Sequence, residues 1–192
     1  MTLLCRGTFI VVAASVMVAT ALGADNSAGK RAAQPWRAAL SQELPLLGHR
    51  NWIAVVDSAY PLQTSAGVET IETDADQLEV VKVVLDQLAN AKHVRPDVFT
   101  DSELELVPES DAKGVTAYRE ALAKLLGTTA LQSLPHEEII GKLDEAGKTF
   151  HVLVLKTRMT IPYTSVFIRL ECAYWSDDAE KRLRAAMAHT KR

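Results

Sequence analysis

Cysteine is scarce: Cys5 and Cys172 are the only two in 192 residues. Cys5 falls within an amino-terminal leader, so its removal would leave one thiol and exclude an intramolecular disulfide; stability must then come from packing. Cys172 sits in an apolar run and reads as core rather than as a nucleophile. Charge of one sign is also missing. A formal net charge of -3 supplies no broad basic surface to neutralise phosphates, so nucleic acid is excluded as a partner class. There is no glycine-rich phosphate loop, no paired-cysteine metal motif, no helix with histidines one turn apart and no Gly-x-Ser-x-Gly elbow. Nucleotide, zinc and serine-hydrolase chemistry lose their usual footholds. Neither an internal repeat nor a low-complexity domain is present.

What is present begins with the leader. Residues 1–24 have the three-part layout of an export signal: Arg6 as the only charge, an apolar run over 8–22, and Ala21-Leu22-Gly23-Ala24 supplying small residues for cleavage. The run is short for a membrane span, and an uncleaved anchor is the alternative. Residues 25–33 are small, polar and basic and read as a flexible tether. Residues 34–192 then form one domain, long enough to bury a core. The protein is expected to be exported, to a periplasm or the medium.

Along that domain, apolar spacing predicts helices over 36–47, 76–91, 114–126, 135–147 and 177–189, with Asp74 or Asp76 capping the second. Strands are predicted over 52–56, 69–73, 99–107, 131–134, 150–156 and 166–174. The alternation implies an α/β fold, a three-layer α/β/α arrangement with a central, mostly parallel sheet.

In open α/β sheets, ligands sit outside the carboxyl ends of strands. His49, Asp57, His136 and Tyr163 are isolated polar residues at the ends of apolar strands. Each alone has a structural explanation: a helix terminus, a loop bond, an exposed first turn, a core aromatic. Together they carry a resemblance. Gly48-His49, the apolar strand to Val56, then Asp57, Ala59 and Pro61 are similar to the first motif of the D-ribose pyranase and L-fucose mutarotase family. Pro135-His136-Glu137 is similar to the ribose branch, where a helix opens with His-Glu. The stretch from Lys156 to Ser165, with Pro162-Tyr163 followed by an apolar strand, is similar to the closing motif. It departs from that motif at Lys156, Arg158, Met159 and Ser165, where the family has Arg, Gly, Glu and Asn.

The resemblance implies a mutarotase or pyranase, an isomerase that opens and recloses a free ribose- or fucose-like monosaccharide by acid/base catalysis, with no cofactor and no metal. It implies His49 as proton donor, Asp57 as an acceptor for sugar hydroxyls, and His136 as a sugar contact sharing proton transfer. Tyr163, Lys156 and Ser165 complete the substrate-binding set. Trp52 and Tyr60 are candidate stacking residues, with core packing the better account of Trp52. A homo-oligomer with sites near subunit contacts is implied as well. The competing reading is a monosaccharide-binding protein without catalysis, motivated by Met159 and Ser165.

Overall fold

The computed structural model describes residues 35–190; the leader and tether readings lie outside those residues. The domain contains α1 (Pro35–Glu43), β1 (Trp52–Val56), β2 (Val68–Glu72), α2 (Gln77–Asn90), β3 (Val94–Asp101), α3 (Val115–Leu126), β4 (Leu131–Leu134), α4 (His136–Ala146), β5 (Val152–Lys156), β6 (Val166–Cys172) and α5 (Asp177–Thr190). Short 3-10 helices occupy Leu44–Leu46 and Ser102–Leu106.

The six strands form one sheet in the order β2-β5-β1-β6-β3-β4. β2, β5 and β1 pair in parallel, as do β3 and β4, and β6 runs antiparallel between β1 and β3. Five strands therefore share one direction, and β6 enters from their carboxyl edge. Alternation along β1 shows why the sheet is covered on both sides. Ile53 and Val55 point into a core with α1, α2 and α3, whereas Trp52, Ala54 and Val56 point into a second core with Ile139 and Leu143 of α4. All five β1 residues are buried, so the strand reads as a continuous apolar run. This is the expected three-layer α/β/α fold with a mostly parallel sheet.

Two elements differ from the sequence reading by more than two residues at an end. The strand expected over 99–107 runs instead over Val94–Asp101, and a 3-10 helix follows it. Pro96 and the charged residues around it hide the first half of β3. The strand tolerates them because β4 reaches only Val98–Asp101, so Pro96, which has no N–H to donate, has a neighbouring strand on one side only, β6. The first predicted helix closes early, as Pro45 turns its last residues into the 3-10 helix Leu44–Leu46. α2 is capped by Asp76, whose carboxylate accepts from Leu78 N at 2.9 Å and Glu79 N at 3.3 Å. α5 buries none of its residues over 177–189. Among the described residues no helix is long and apolar enough to cross a membrane.

Candidate functional site

The carboxyl edge of the sheet is assembled around one buried amide. Gln77, the first residue of α2, is fully buried and donates to Val55 O at 3.0 Å and to Thr164 O at 2.9 Å. Its carbonyl oxygen accepts the Thr157 hydroxyl. One side chain thus ties the end of β1 to both ends of the segment that joins β5 to β6. Tyr118 of α3 adds a second donor to Thr164 O at 2.7 Å. Gln77→Leu keeps the volume but strands these groups, and is expected to lower stability by about 2 kcal/mol, or about 4–8 °C in Tm. Thermal melts followed by circular dichroism would check it.

That tie fixes Tyr163. Its φ of 59° is left-handed, a conformation a tyrosine adopts only when its neighbours impose it. Thr164 is the constraint: its carbonyl is held twice, and its hydroxyl donates to Ile161 O at 2.8 Å. The facing loop leaves β1 through Asp57, whose carboxylate accepts from Ala59 N at 2.8 Å. Ser58 N donates to Met159 O at 2.8 Å, and Lys156 Nζ donates to Tyr60 O at 2.8 Å, so the two loops are bonded together.

Between them lies a cavity of about 550 Å³, lined by Asp57, Tyr60, Gln63, His136, Ile140 and Tyr163 among others. His136 opens α4. Its backbone N–H, left without an intrahelical acceptor, donates to both carboxylate oxygens of Glu103 at 3.0 Å. The imidazole meets the Tyr163 ring edge-on, with centroids 5.6 Å apart.

Behind the imidazole stands Asp101, the last residue of β3. Its Oδ1 lies 3.1 Å from His136 Nδ1, and its carboxylate is fully shielded from solvent. Burial pushes the Asp101 carboxyl up to about 6, with His136 pulling in the opposite direction.

Tyr60 is a third buried polar group here. Its hydroxyl has no hydrogen-bond partner, and burial, with smaller contributions from Asp144, Asp101 and Asp57, raises it to about 12. It therefore remains a donor at neutral pH. Gln63, which also lines the cavity, donates its amide nitrogen to Asp144 at 2.9 Å, and its Oε1 is buried without a partner. Tyr60→Phe should leave stability unchanged or raise it by up to about 1 kcal/mol, because the hydroxyl it removes is unsatisfied. Thermal unfolding of the variant beside the unmodified protein would check it.

The structure brings together Asp57, His136 and Tyr163. His49 lies elsewhere. It precedes β1 while Asp57 follows it, so the strand separates them, and His49 Nδ1 instead lies 2.7 Å from Glu171 Oε2 at the far end of β6. Arg169 links Glu171 to Asp97, extending this chain of charges away from the cavity. Lys156 serves the loop backbone, and Arg158 faces Asp74 at 3.7 Å in solvent. Met159 packs against the core and Ser165 is buried, and neither lines the cavity. Trp52 packs in the core against Phe99 with centroids 5.4 Å apart.

Sequence reasoning did not single out Asp101 or Gln63. Had β3 been ended at Asp101 rather than carried to 107, that residue would have stood out as a polar group at a carboxyl strand end, as Asp57 did. Among the described residues, one set of side chains has metal-ligand spacing: Glu43, Glu69 and His151, with ligand atoms within 4.8 Å of one another. It lies at the amino ends of β2 and β5, across the sheet from the cavity.

No curated protein sequence matches the chain. Among solved structures, it is similar to RbsD of Bacillus subtilis complexed with D-ribose, at 19% identity and a TM-score of 0.48, over 69% of this chain and 90% of that one. It is similar to the fucose mutarotase of Streptococcus pneumoniae in complex with L-fucose, at 18% identity and a TM-score of 0.44, over 68% and 89% of the two chains. FucU of Bifidobacterium longum aligns at 15% identity and a TM-score of 0.47, over 68% and 90%. The match that decides the assignment is to a family as a whole and spans residues 34–172, from the start of α1 to the end of β6, so that it contains every strand and every residue of the cavity. The chain belongs to the RbsD / FucU transport protein family.

Proposed function

We propose that the protein is a monosaccharide mutarotase or pyranase, exported by its leader and acting on a free ribose- or fucose-like sugar. The observation that carries this reading is the meeting of Asp57, His136 and Tyr163 on one cavity of about 550 Å³ at the carboxyl edge of the sheet. Its size suits a small polar ligand.

The reaction needs two proton movements. The anomeric O–H gives its proton to a base, and as the C1–O1 double bond forms the ring C1–O5 bond breaks, its electron pair going to O5, which takes a proton from an acid. The aldehyde rotates and the ring recloses by the reverse steps. His136 is the imidazole at the cavity and serves one of these transfers. Asp57 and Tyr163 hold the hydroxyls that fix the ring. His49 serves the other transfer from a second copy of the chain, in a homo-oligomer whose sites form where copies meet.

Exchange NMR between sugar anomers, run with D-ribose, L-fucose and related sugars, tests the proposal. Enzyme should accelerate exchange above the buffer rate, and His136→Ala should remove about 10²–10⁴-fold of that acceleration. No acceleration with any sugar of a broad panel would sink the catalytic reading. A second reading, a binding protein without turnover, is favoured by the withdrawal of Met159 and Ser165 from the cavity. It predicts calorimetric sugar binding that survives His136→Ala with no exchange at all.

A further inference from the structure

We propose that Asp101 is the positioning residue of His136: its buried carboxylate holds the Nδ1 proton, and so leaves Nε2 as the nitrogen that exchanges protons with a ligand in the cavity. The inference deepens the proposed function and rests on it for the nature of the ligand. The geometry comes first. Nδ1 lies 3.1 Å from Asp101 Oδ1 and is itself shielded from solvent with no other partner. Nε2 is on the opposite edge of the ring, and His136 lines the cavity. The ring is fixed at two further points, by Glu103 on its backbone N–H and by the edge of Tyr163.

Asp101 has no other evident structural employment. Apart from the 3.1 Å approach of His136 Nδ1, neither of its oxygens meets a polar group within hydrogen-bond reach, although the side chain is fully buried. A carboxylate in that position is costly unless something charged or proton-bearing faces it. The titratable groups that shift it are His136 of α4, Glu103 of the following 3-10 helix and Asp57 of the β1 loop, with the neutral phenols of Tyr60 and Tyr118 also within its field, and only His136 favours its ionised form. Burial raises its proton affinity and His136 lowers it, so the histidine is the neighbour that favours the ionised carboxylate. When Nε2 takes a proton from an anomeric hydroxyl, the imidazolium charge so formed is met by the Asp101 carboxylate. When Nε2 returns it, Nδ1 keeps its own proton and the tautomer is preserved.

The test reads the tautomer directly. Nitrogen-15 NMR of the free, full-length protein above the titration range should show His136 protonated on Nδ1. Asp101→Leu removes the acceptor at similar size and should move the proton to Nε2; Asp101→Asn, which keeps the shape, should give a mixture. Folding of both is checked by amide spectra, and Glu103→Gln, which bonds His136 through its backbone N–H and not through the imidazole, should leave the tautomer as it was. An unchanged Nδ1 proton in both Asp101 variants overturns the proposal, as does an Nε2 proton in the unmodified protein. These outcomes hold whether or not any sugar is turned over, so they stand apart from the fate of the mutarotase reading. Where exchange is measurable, Asp101→Asn should lower kcat about 10- to 100-fold with little change in KM.

Discussion

Asp101→Asn should change how stability responds to pH between about pH 4 and pH 6. The Asp101 carboxyl is pushed from 3.8 to about 6 in the folded protein, by burial above all, against the pull of His136. A raised carboxyl means that the folded state binds the proton more tightly than the unfolded state does. The stabilising contribution is therefore complete below 3.8 and is lost as pH rises through about 6. The difference between those values corresponds to a loss on the order of 3 kcal/mol across the window. Asparagine does not titrate, so the variant escapes it. Glu103 is held below the ordinary carboxylate range, where burial is outweighed by the His136 backbone N–H, its own backbone N–H, the Ser102 hydroxyl and the charge of His136. It titrates in the opposite sense, but in both proteins, so it cancels in the comparison. Urea midpoints at several pH values should show the variant gaining on the unmodified protein by about 3 kcal/mol as pH rises from below 4 to above 6. In Tm that is about 6–12 °C. A difference that stays flat with pH would mean that Asp101 is not the buried, proton-hungry group described above.

The fold was largely readable because burial imposes the signals that sequence carries. β1, β5 and β6 are apolar runs, and α2, α3 and α4 repeat apolar side chains at helical spacing because each covers one face of the sheet. β3 was misjudged where its interior departs from that rule, at Arg95, Pro96 and Asp97, which sit beyond the reach of β4. The cavity was readable in part. Asp57, His136 and Tyr163 end or follow strands and meet at the carboxyl edge, but the pattern of a polar residue at a strand end does not say which end, and His49 precedes β1. Asp101 was hidden by the misplaced end of β3. Gln77 was hidden for a different reason: a glutamine at the start of a helix reads as solvated, and only the tertiary fold reveals it as the buried tie between β1 and the Tyr163 loop.

Mixing two inactive variants should restore activity if the proposed site is shared between copies. The separation of His49 from the cavity motivates this. β1 contributes five residues between them, roughly 16 Å of extended chain, more than an imidazole can span. If the family resemblance of both histidines reflects one catalytic unit, the His49 of one copy must serve the cavity of another. His49→Ala and His136→Ala should each then lose about 10²–10⁴-fold in anomeric exchange. Co-refolded in equal amounts, half the copies keep His49 and the other half keep His136. A shared site draws each histidine from a different copy, so about a quarter of the sites regain both, and exchange should return to about a quarter of the unmodified rate. A site contained within one chain gives no such recovery, since no single chain carries both residues. Exchange that stays at the level of the separate variants, in assemblies shown by light scattering to be oligomeric and mixed, would exclude the shared site. Full activity in His49→Ala alone would instead leave His136, backed by Asp101, as the group on which turnover depends.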